Sequence, residues 1–569
     1  MIEELTPQTL MSAMLLVNVL APVLTLLLSA VMLRRYRRAV SRSMEANSGF
    51  DDDSSVHTVS HRSSGPTGFQ AKDADGGGLY RQLVRAPWRG AARYATAGLG
   101  FALVYALAAH FAFPHALGTA GSLIAVWLYL WPVFLALSLI VPLPPARMGT
   151  LFLGYFGVFM FLGLWAGTVL DVPGYRFGAV VIPARSSVTP ETMARLWLAL
   201  NGAPSVLMLL CLNRRVRAVA PLVLALVTAS VVGIAVSYFS IFSTPGTDLV
   251  VAVSTYLNLH VYWLLLAALL LSLVFFGLVG WGLMRWIARA YRHGRLSDQS
   301  LLLDALWLLF ASTYSMWLSA GGLRWALTAP LAFFVFRLTL SVVRRFFRPD
   351  RRAQRGLTFL RVFSLGRRSE LLFEMVARQW RHVGSVQLIT GPDLASSTVQ
   401  PHQFLDFLSG KLVHHFVADH ASLARSLAAR DRGADPDGRF RVNSYFCHAD
   451  SWKAVLPRLV QEGDIVLMDL RSFSTRMAGC THELRYLVAA VPFSRCVLLV
   501  DESTDAAFLT QTLADALESS APTSPNRGCS AGDLVRVSIE SASTNLSTIM
   551  RSLCRSVSAP LRTQTDGSA

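Results

Sequence analysis

Two sets of residues in this chain are of types that do chemistry. In the first, Asp304 and Arg337 stand inside otherwise apolar segments. A charge in hydrocarbon is expensive, and it persists where it is paired or where it serves an ion pathway. In the second, Ser364, Asp393, Asp469, Ser472 and Asp501 each stand at or just past the end of a short apolar run in the last third of the chain. Cys480 and Glu483 lie between the last two runs. A thiol at a helix start is either activated or simply buried, and a carboxylate in a first helical turn favours the helix dipole.

Metal chemistry is not expected. The six Cys, at 211, 447, 480, 496, 529 and 554, form no Cys-x-x-Cys pair, so no zinc site and no structural disulfide is predicted. His110, His115 and His260 fall at similar height in the apolar part and read as scattered interfacial histidines.

The elements that must position these residues differ in solvent preference. Of 569 residues 53% are hydrophobic and 15% charged, with a mean hydropathy of +0.44; an ordinary soluble chain carries roughly a quarter charged residues. The deficit is confined to residues before about 343, while the remainder has globular composition. The expected organisation is a transmembrane domain over residues 1–350 and a cytoplasmic α/β domain over residues 351–569.

A spanning helix needs about 20 apolar residues. Nine segments qualify, near 10–33, 95–113, 119–142, 150–170, 194–212, 219–241, 259–284, 300–320 and 325–343. The fifth is weakest, with Asn201-Gly202-Ala203-Pro204-Ser205 at its centre. The first runs straight into Arg34 without a small-residue cleavage site and reads as an uncleaved signal-anchor. In the last two, Asp304 and Arg337 lie at matching depth across a hairpin, so a pair is expected; snorkelling to the interface is the alternative.

The net charge of +17 and pI near 10.1 do not point to nucleic acid. The basic residues cluster beside apolar segments, at Arg34 to Arg38, Arg214 to Arg217 and Arg344 to Arg348. If nine helices alternate, these clusters fall on one side. By the positive-inside rule that side is cytoplasmic, the N-terminus is outside, and the protein belongs to the inner (plasma) membrane. Lys occurs only at 72, 411 and 453, a bias that suggests a GC-rich bacterial genome. Residues 39–89 are rich in Ser, Gly and Asp and read as a disordered cytoplasmic loop. The end of that loop, from Leu79 to Arg89, reads as a short basic helix on the membrane surface.

After Arg355, apolar runs at 357–363, 385–390, 440–447, 464–470, 496–501 and 534–539 alternate with amphipathic stretches. Continuous apolar runs are strands covered on both faces, and the alternation implies a mostly parallel, flavodoxin-like sheet. Ligands in such sheets bind at the carboxyl strand ends, where Ser364, Asp393, Asp469, Ser472 and Asp501 fall. Neither GxGxxG nor GxxxxGK[ST] occurs in this part, which disfavours dinucleotide-Rossmann and P-loop readings.

Residues 464–484 contain a buried strand, a Ser-rich loop and then Gly479-Cys480-Thr481-His482-Glu483-Leu484. This resembles the core of Toll/interleukin-receptor (TIR) domains, where a strand and loop precede a Cys-x-x-Glu-Leu helix start. Gly391-Pro392-Asp393-Leu394 is similar in position to the loop after that family's second strand. The resemblance covers about 150 residues, is interrupted by an additional stretch at about 419–461, and includes none of the apolar part. It implies a TIR-like sheet and a signalling or interaction role. For TIR-like enzymes it implies that Glu483 helps to cleave the glycosidic bond of NAD by stabilising an oxocarbenium-like centre. No cofactor is required; NAD enters only as substrate.

Three function classes remain: a membrane sensor or scaffold with a TIR-like domain, a membrane-anchored NAD hydrolase using Glu483, and a transporter with a regulatory tail. The expected partners are the lipid bilayer and either a second copy of the chain or a cytoplasmic protein, with no nucleic acid.

Overall fold

The computed structural model describes residues 7–45, 76–113, 119–169, 175–177, 180–182, 189–211, 219–241, 244–346, 355–361, 367–390, 399–448, 450–539 and 542–558. The chain divides into two compact units. One comprises Met1–Arg34, Pro87–Pro349 and Gln400–His402; the other comprises Arg35–Ala86, Asp350–Val399 and Gln403–Ala569.

The first unit is helical. Its helices are α1 (Pro7–Glu45), α2 (Gly76–Ala112), α3 (Thr119–Tyr129), α4 (Trp131–Ile140), α5 (Pro145–Val169), α6 (Pro190–Trp197), α7 (Ala203–Cys211), α8 (Ala220–Ile241), α9 (Thr244–Leu257), α10 (Val261–Arg292), α11 (Asp298–Leu318) and α12 (Thr328–Phe346). A short antiparallel hairpin, β1 (Tyr175–Phe177) with β2 (Val180–Ile182), precedes α6. Six helical stretches are long and apolar enough to cross a membrane: Gly76–Ala112, Gly121–Ile140, Pro145–Trp165, Val261–Arg292, Asp298–Leu318 and Arg324–Phe346. They cover six of the nine expected spans. Residues 10–33 lie within α1, and 219–241 lie in α8, whose apolar stretch Ala220–Ser230 is shorter than a span. The count of nine is therefore not established by the described residues.

The expected span at 194–212 is broken. Between α6 and α7, Leu198–Gly202 form a π-helical turn. Pro204 lacks an N–H, and its ring crowds the carbonyl four residues earlier, so a regular α-turn is disfavoured there. Side chains fill the break. The Tyr314 hydroxyl donates to Asn201 Oδ1 at 2.5 Å and Asn201 Nδ2 donates to the Leu128 carbonyl at 3.4 Å. Ser205 Oγ donates to the Asn201 carbonyl at 2.5 Å and receives Trp131 Nε1 at 2.6 Å. Asn201 is fully buried and its amide is satisfied on both sides, as a buried polar group requires. The unit's core is aromatic where α2, α11 and α12 meet: Phe101, Trp307 and Phe336 pack with ring centroids 4.6–4.9 Å apart. Ser297 and Ser300 cap the start of α11 reciprocally.

The second unit is an α/β sheet domain. Its strands are β3 (Leu357–Arg361), β4 (Val386–Thr390), β5 (Phe416–Val417), β6 (Val442–Cys447), β7 (Ile465–Asp469), β8 (Cys496–Val500) and β9 (Val535–Ser538). Its helices are α13 (Arg367–Trp380), α14 (Pro401–Leu408), α15 (His420–Ala428), α16 (Trp452–Glu462), α17 (Ala478–Ala490), α18 (Ala506–Glu518) and α19 (Ala542–Ser558). All seven strands pair in parallel, in the order β5-β6-β4-β3-β7-β8-β9. Without β5 and β6 the order is second-first-third-fourth-fifth, the flavodoxin-like doubly wound arrangement. The additional stretch supplies β6, and β5, just before it, completes that edge of the sheet. Every residue of β3, β4 and β7 is buried, because helices cover both faces. Gly463 admits a close approach before β7: a Cβ there would lie 2.3 Å from Thr358 Oγ1.

Three expectations change here. Residues 401–418 read as a single amphipathic helix in the sequence, whereas α14 ends at Leu408 and the two-residue strand β5 occupies the tail of that stretch. The second unit is not confined to residues after 350. It includes the end of α1 and the start of α2, so residues 39–45 and 76–89 are helical and not part of a disordered loop; residues 46–75 lie outside the described residues. The reason is an apolar stripe hidden by polar composition. Tyr36, Val40 and Met44, each four residues apart, are all buried. The stretch from Leu79 to Arg89 is not a short helix of its own but the start of α2, and its Leu83 is 2% exposed, packed in the core formed by Leu372, Val376, Trp380 and Leu553.

Candidate functional site

Doubly wound sheets leave a crevice at the carboxyl ends of the strands where successive connections part to opposite sides. Here that point lies between β3 and β7, whose last residues Arg361 and Asp469 are register partners.

Asp469 is fully buried. Arg471 grips it with both ends of its guanidinium, Nε to Oδ1 at 2.8 Å and Nη2 to Oδ2 at 2.7 Å. The Arg471 backbone N–H and Ser369 Oγ add donors at 3.3 Å each. Arg471 Nη2 also reaches the Arg368 carbonyl at 3.2 Å. The carboxylate is saturated, and it fixes the start of α13 against the turn after β7.

Asp501 organises the turn after β8. Its Oδ1 accepts the Ser503 N–H at 3.0 Å and the Ser503 hydroxyl at 2.5 Å, while Arg368 approaches Oδ2 at 3.3 Å. Ser472 has φ +58°, in the left-handed region that costs an L-residue free energy. Its N–H donates to Ser503 Oγ at 3.0 Å and the two hydroxyls lie 2.9 Å apart. Ser472 and Asp501 are thus brought together through Ser503. Ser364 and Asp393 lie outside the described residues.

Glu483 is placed differently from the sequence expectation. α17 begins at Ala478 and has no acidic residue in its first turn, so Glu483 sits one turn deeper and is no partner for the helix dipole. It is 2% exposed, on the buried face with Cys480, Leu484 and Leu487. Its Oε2 is buried without a hydrogen-bond partner. Burial pushes its carboxyl up to about 8, against the opposing pull of the Arg361 guanidinium. At neutral pH the group is therefore mainly a protonated acid. Cys480 is also buried and directs its Sγ to the Arg361 carbonyl at 3.8 Å.

Arg361, Arg368, Ser369 and Arg471 escape the sequence reading. For Arg471 a signal existed: it stands two residues after Asp469, close enough to bind it. Arg361 has a weaker one, an Arg closing the otherwise apolar-looking run of β3. In the helical unit, Arg337 Nη1 donates to both oxygens of Asp304 at 3.0 Å. Among the described residues no cluster of three or more His, Cys, Asp or Glu could hold a metal. Comparison of the chain with protein-family models, with curated proteins and with solved structures gives no match.

Proposed function

We propose that this chain is an integral membrane sensor or scaffold whose sheet unit is a TIR-like signalling or interaction domain on the cytoplasmic side. The observation that carries this reading is how the acids at the strand ends are employed. Asp469 is saturated by Arg471 and Ser369, and Asp501 is engaged by Ser503 and Arg368. Groups engaged in this way hold a surface in shape and are not available to a substrate. The flavodoxin-like order of the five central strands and the Cys480-x-x-Glu483 helix after β7 support the TIR-like assignment. The Arg clusters beside the apolar segments, which fall on one side when nine helices alternate, support the orientation.

A second reading, NAD hydrolysis, is favoured by one specific feature. Glu483 keeps an unpartnered oxygen and a carboxyl shifted to about 8, features shared by many functional acids. The experiment that separates the readings is incubation of the purified full chain in detergent with NAD, measuring released nicotinamide. No release, together with concentration-dependent self-association of the sheet unit, is the outcome expected for a scaffold. Release that disappears in Glu483→Gln overturns the scaffold reading and establishes the enzyme.

A further inference from the structure

Helix α9 is too short to cross a bilayer and too apolar to stand in water. Thr244–Leu257 rise about 1.5 Å per residue, about 21 Å in all, against a hydrocarbon core of about 30 Å. Asp248 is the only Asp, Glu, Lys or Arg between Arg217 and Arg285. The helix is fixed at both ends. Near its start, a Cβ on Gly246 would collide with the Ser240 carbonyl of α8. At its end, Asn258 adopts φ +50°. The Leu259 N–H then donates to the Ser254 carbonyl at 3.1 Å and the Asn258 N–H to that of Thr255 at 3.4 Å, the double closure of a helix that stops on a left-handed residue. His260 Nδ1 accepts the Tyr262 N–H at 3.4 Å and opens α10.

The neighbours of α9 set its depth. α8 and α10 run antiparallel, since a Cβ on Gly233 would meet Phe276 and one on Gly280 would meet Leu226. α9 therefore joins them at the end away from Arg285, Arg289 and Arg292. Counting about 20 residues back from Arg285, the length of a span, puts the other hydrocarbon boundary near Leu265. Tyr262 and Trp263 are exposed just beyond it, where aromatic residues gather in membrane proteins. Only Asn258, Leu259 and His260 separate α9 from α10, so α9 ends at that level.

The exposed surface of α9 is two-sided. Val250 and Val253 are half-buried and mark the side that packs on α8 and α10. On one flank Leu249, Ala252 and Tyr256, three and four residues apart, form an exposed apolar stripe, with Tyr256 89% exposed. On the other stand Thr247, Asp248 and Thr255, with Val251 the one large apolar side chain among them.

We propose that α9 lies flat in the boundary between headgroups and acyl chains, with Leu249, Ala252 and Tyr256 among the chains and Asp248 and Thr255 toward water. This rests on the reading of the chain as an integral membrane protein. Lipid is the occupant because the stripe stands at the aromatic level of α10 and faces away from a polar flank, the arrangement that a bilayer surface orders. Apolar burial holds the helix, since it carries no Lys or Arg to attract anionic headgroups.

The test places an environment-sensitive fluorescent amino acid singly at position 249, 255 or 271 of the full chain, in phosphatidylcholine nanodiscs. All three positions are exposed, so no packed side chain is lost. The quenchers are iodide in water and lipid nitroxides carried high or deep on the acyl chain. Position 249 is expected to lose most of its fluorescence to the high nitroxide and little to iodide, position 255 the reverse, and position 271 of α10 to the deep nitroxide. Added phosphatidylglycerol should leave this pattern unchanged. Iodide quenching at 249 equal to that at 255 puts α9 in water and overturns the proposal. Quenching at 249 by neither reagent means that protein, such as a second copy, covers the stripe, and overturns it too. Strongest quenching at 249 by the deep nitroxide overturns the boundary placement, and a pattern that appears only with phosphatidylglycerol overturns the apolar hold. Loss of nitroxide quenching at 271 fails the membrane reading itself, whereas quenching retained at 271 confines any failure to α9.

Discussion

Asp304 in the helical unit and Glu483 in the sheet unit are both carboxyl groups withdrawn from water, and they are treated in opposite ways. Asp304 receives Arg337 Nη1 on both oxygens. Glu483 leaves one oxygen without a partner and is held mainly in its neutral form. Asp469 shows that the sheet unit can pair a buried acid fully when the geometry asks for it. The contrast teaches that burial alone does not reveal a group's role: a saturated carboxylate is committed to structure, while an unsaturated one stays available.

The sharpest way to break this contrast is at Asp469. Asp469→Asn leaves the mostly buried Arg471 without its counter-charge, so a loss of about 3–5 kcal/mol is expected in chemical unfolding of the full chain. Adding Arg471→Met should recover part of it, because it removes the buried guanidinium left without a counter-charge. A single variant as stable as wild type would remove Asp469 from the structural class.

Glu483 should behave in the reverse sense. Its folded value, about 8, is raised above the ordinary 4.5. The folded state therefore binds the proton more tightly, and this contribution is fully present below about pH 4.5 and lost as pH rises through about 8. Glu483→Gln remains neutral throughout. It should match wild type near pH 4.5 and exceed it at about pH 9, by on the order of a few kcal/mol. Parallel stability–pH curves for the two proteins would mean that Glu483 is solvated or paired after all.

How far these roles could be seen in the sequence depends on the range of the interactions behind them. The strands β7 and β8 were legible because burial on both faces leaves continuous apolar runs. β5 was not, being two residues long and sheltered at an edge. The end of α1 was hidden because three buried positions, Tyr36, Val40 and Met44, are diluted by arginines and serines. At the candidate site the carboxyl strand ends were placed by topology, but Glu483's depth was misjudged by one turn. Its burial depends on the fit of α17 over the sheet, which no local pattern encodes. Arg361 is similar: an Arg closing the apolar run of β3 is visible, but its position beside Glu483 is set by the fit of α17 over the sheet.

A smaller effect is expected in the helical unit. A double-mutant cycle over Asp304→Asn and Arg337→Gln should give a coupling of roughly 1 kcal/mol, less than for Asp469, because the Arg337 side chain is 37% exposed. Additive single variants would show that each side chain reaches the interface alone.

The smallest effect is expected at Ser472, and it tests whether the turn after β7 stores strain. Glycine removes the penalty of φ +58°, about 1 kcal/mol for an L-residue. Against this, glycine loses more backbone freedom on folding, roughly 0.5–1 kcal/mol, and it deletes the hydroxyl that lies 2.9 Å from Ser503 Oγ. The backbone N–H to Ser503 Oγ remains. These terms nearly cancel, so Ser472→Gly should fall within about 0.5 kcal/mol of wild type. Ser472→Val has no such relief. A β-branched residue in the left-handed region should cost about 1–3 kcal/mol, and the comparison of the two variants by thermal unfolding isolates the backbone term. A gain above roughly 1 kcal/mol for Ser472→Gly would mean that strain is held at the mouth of the crevice beyond what the Ser472–Ser503 contact offsets. Ser472 would then join Glu483 as a group maintained at a cost to stability.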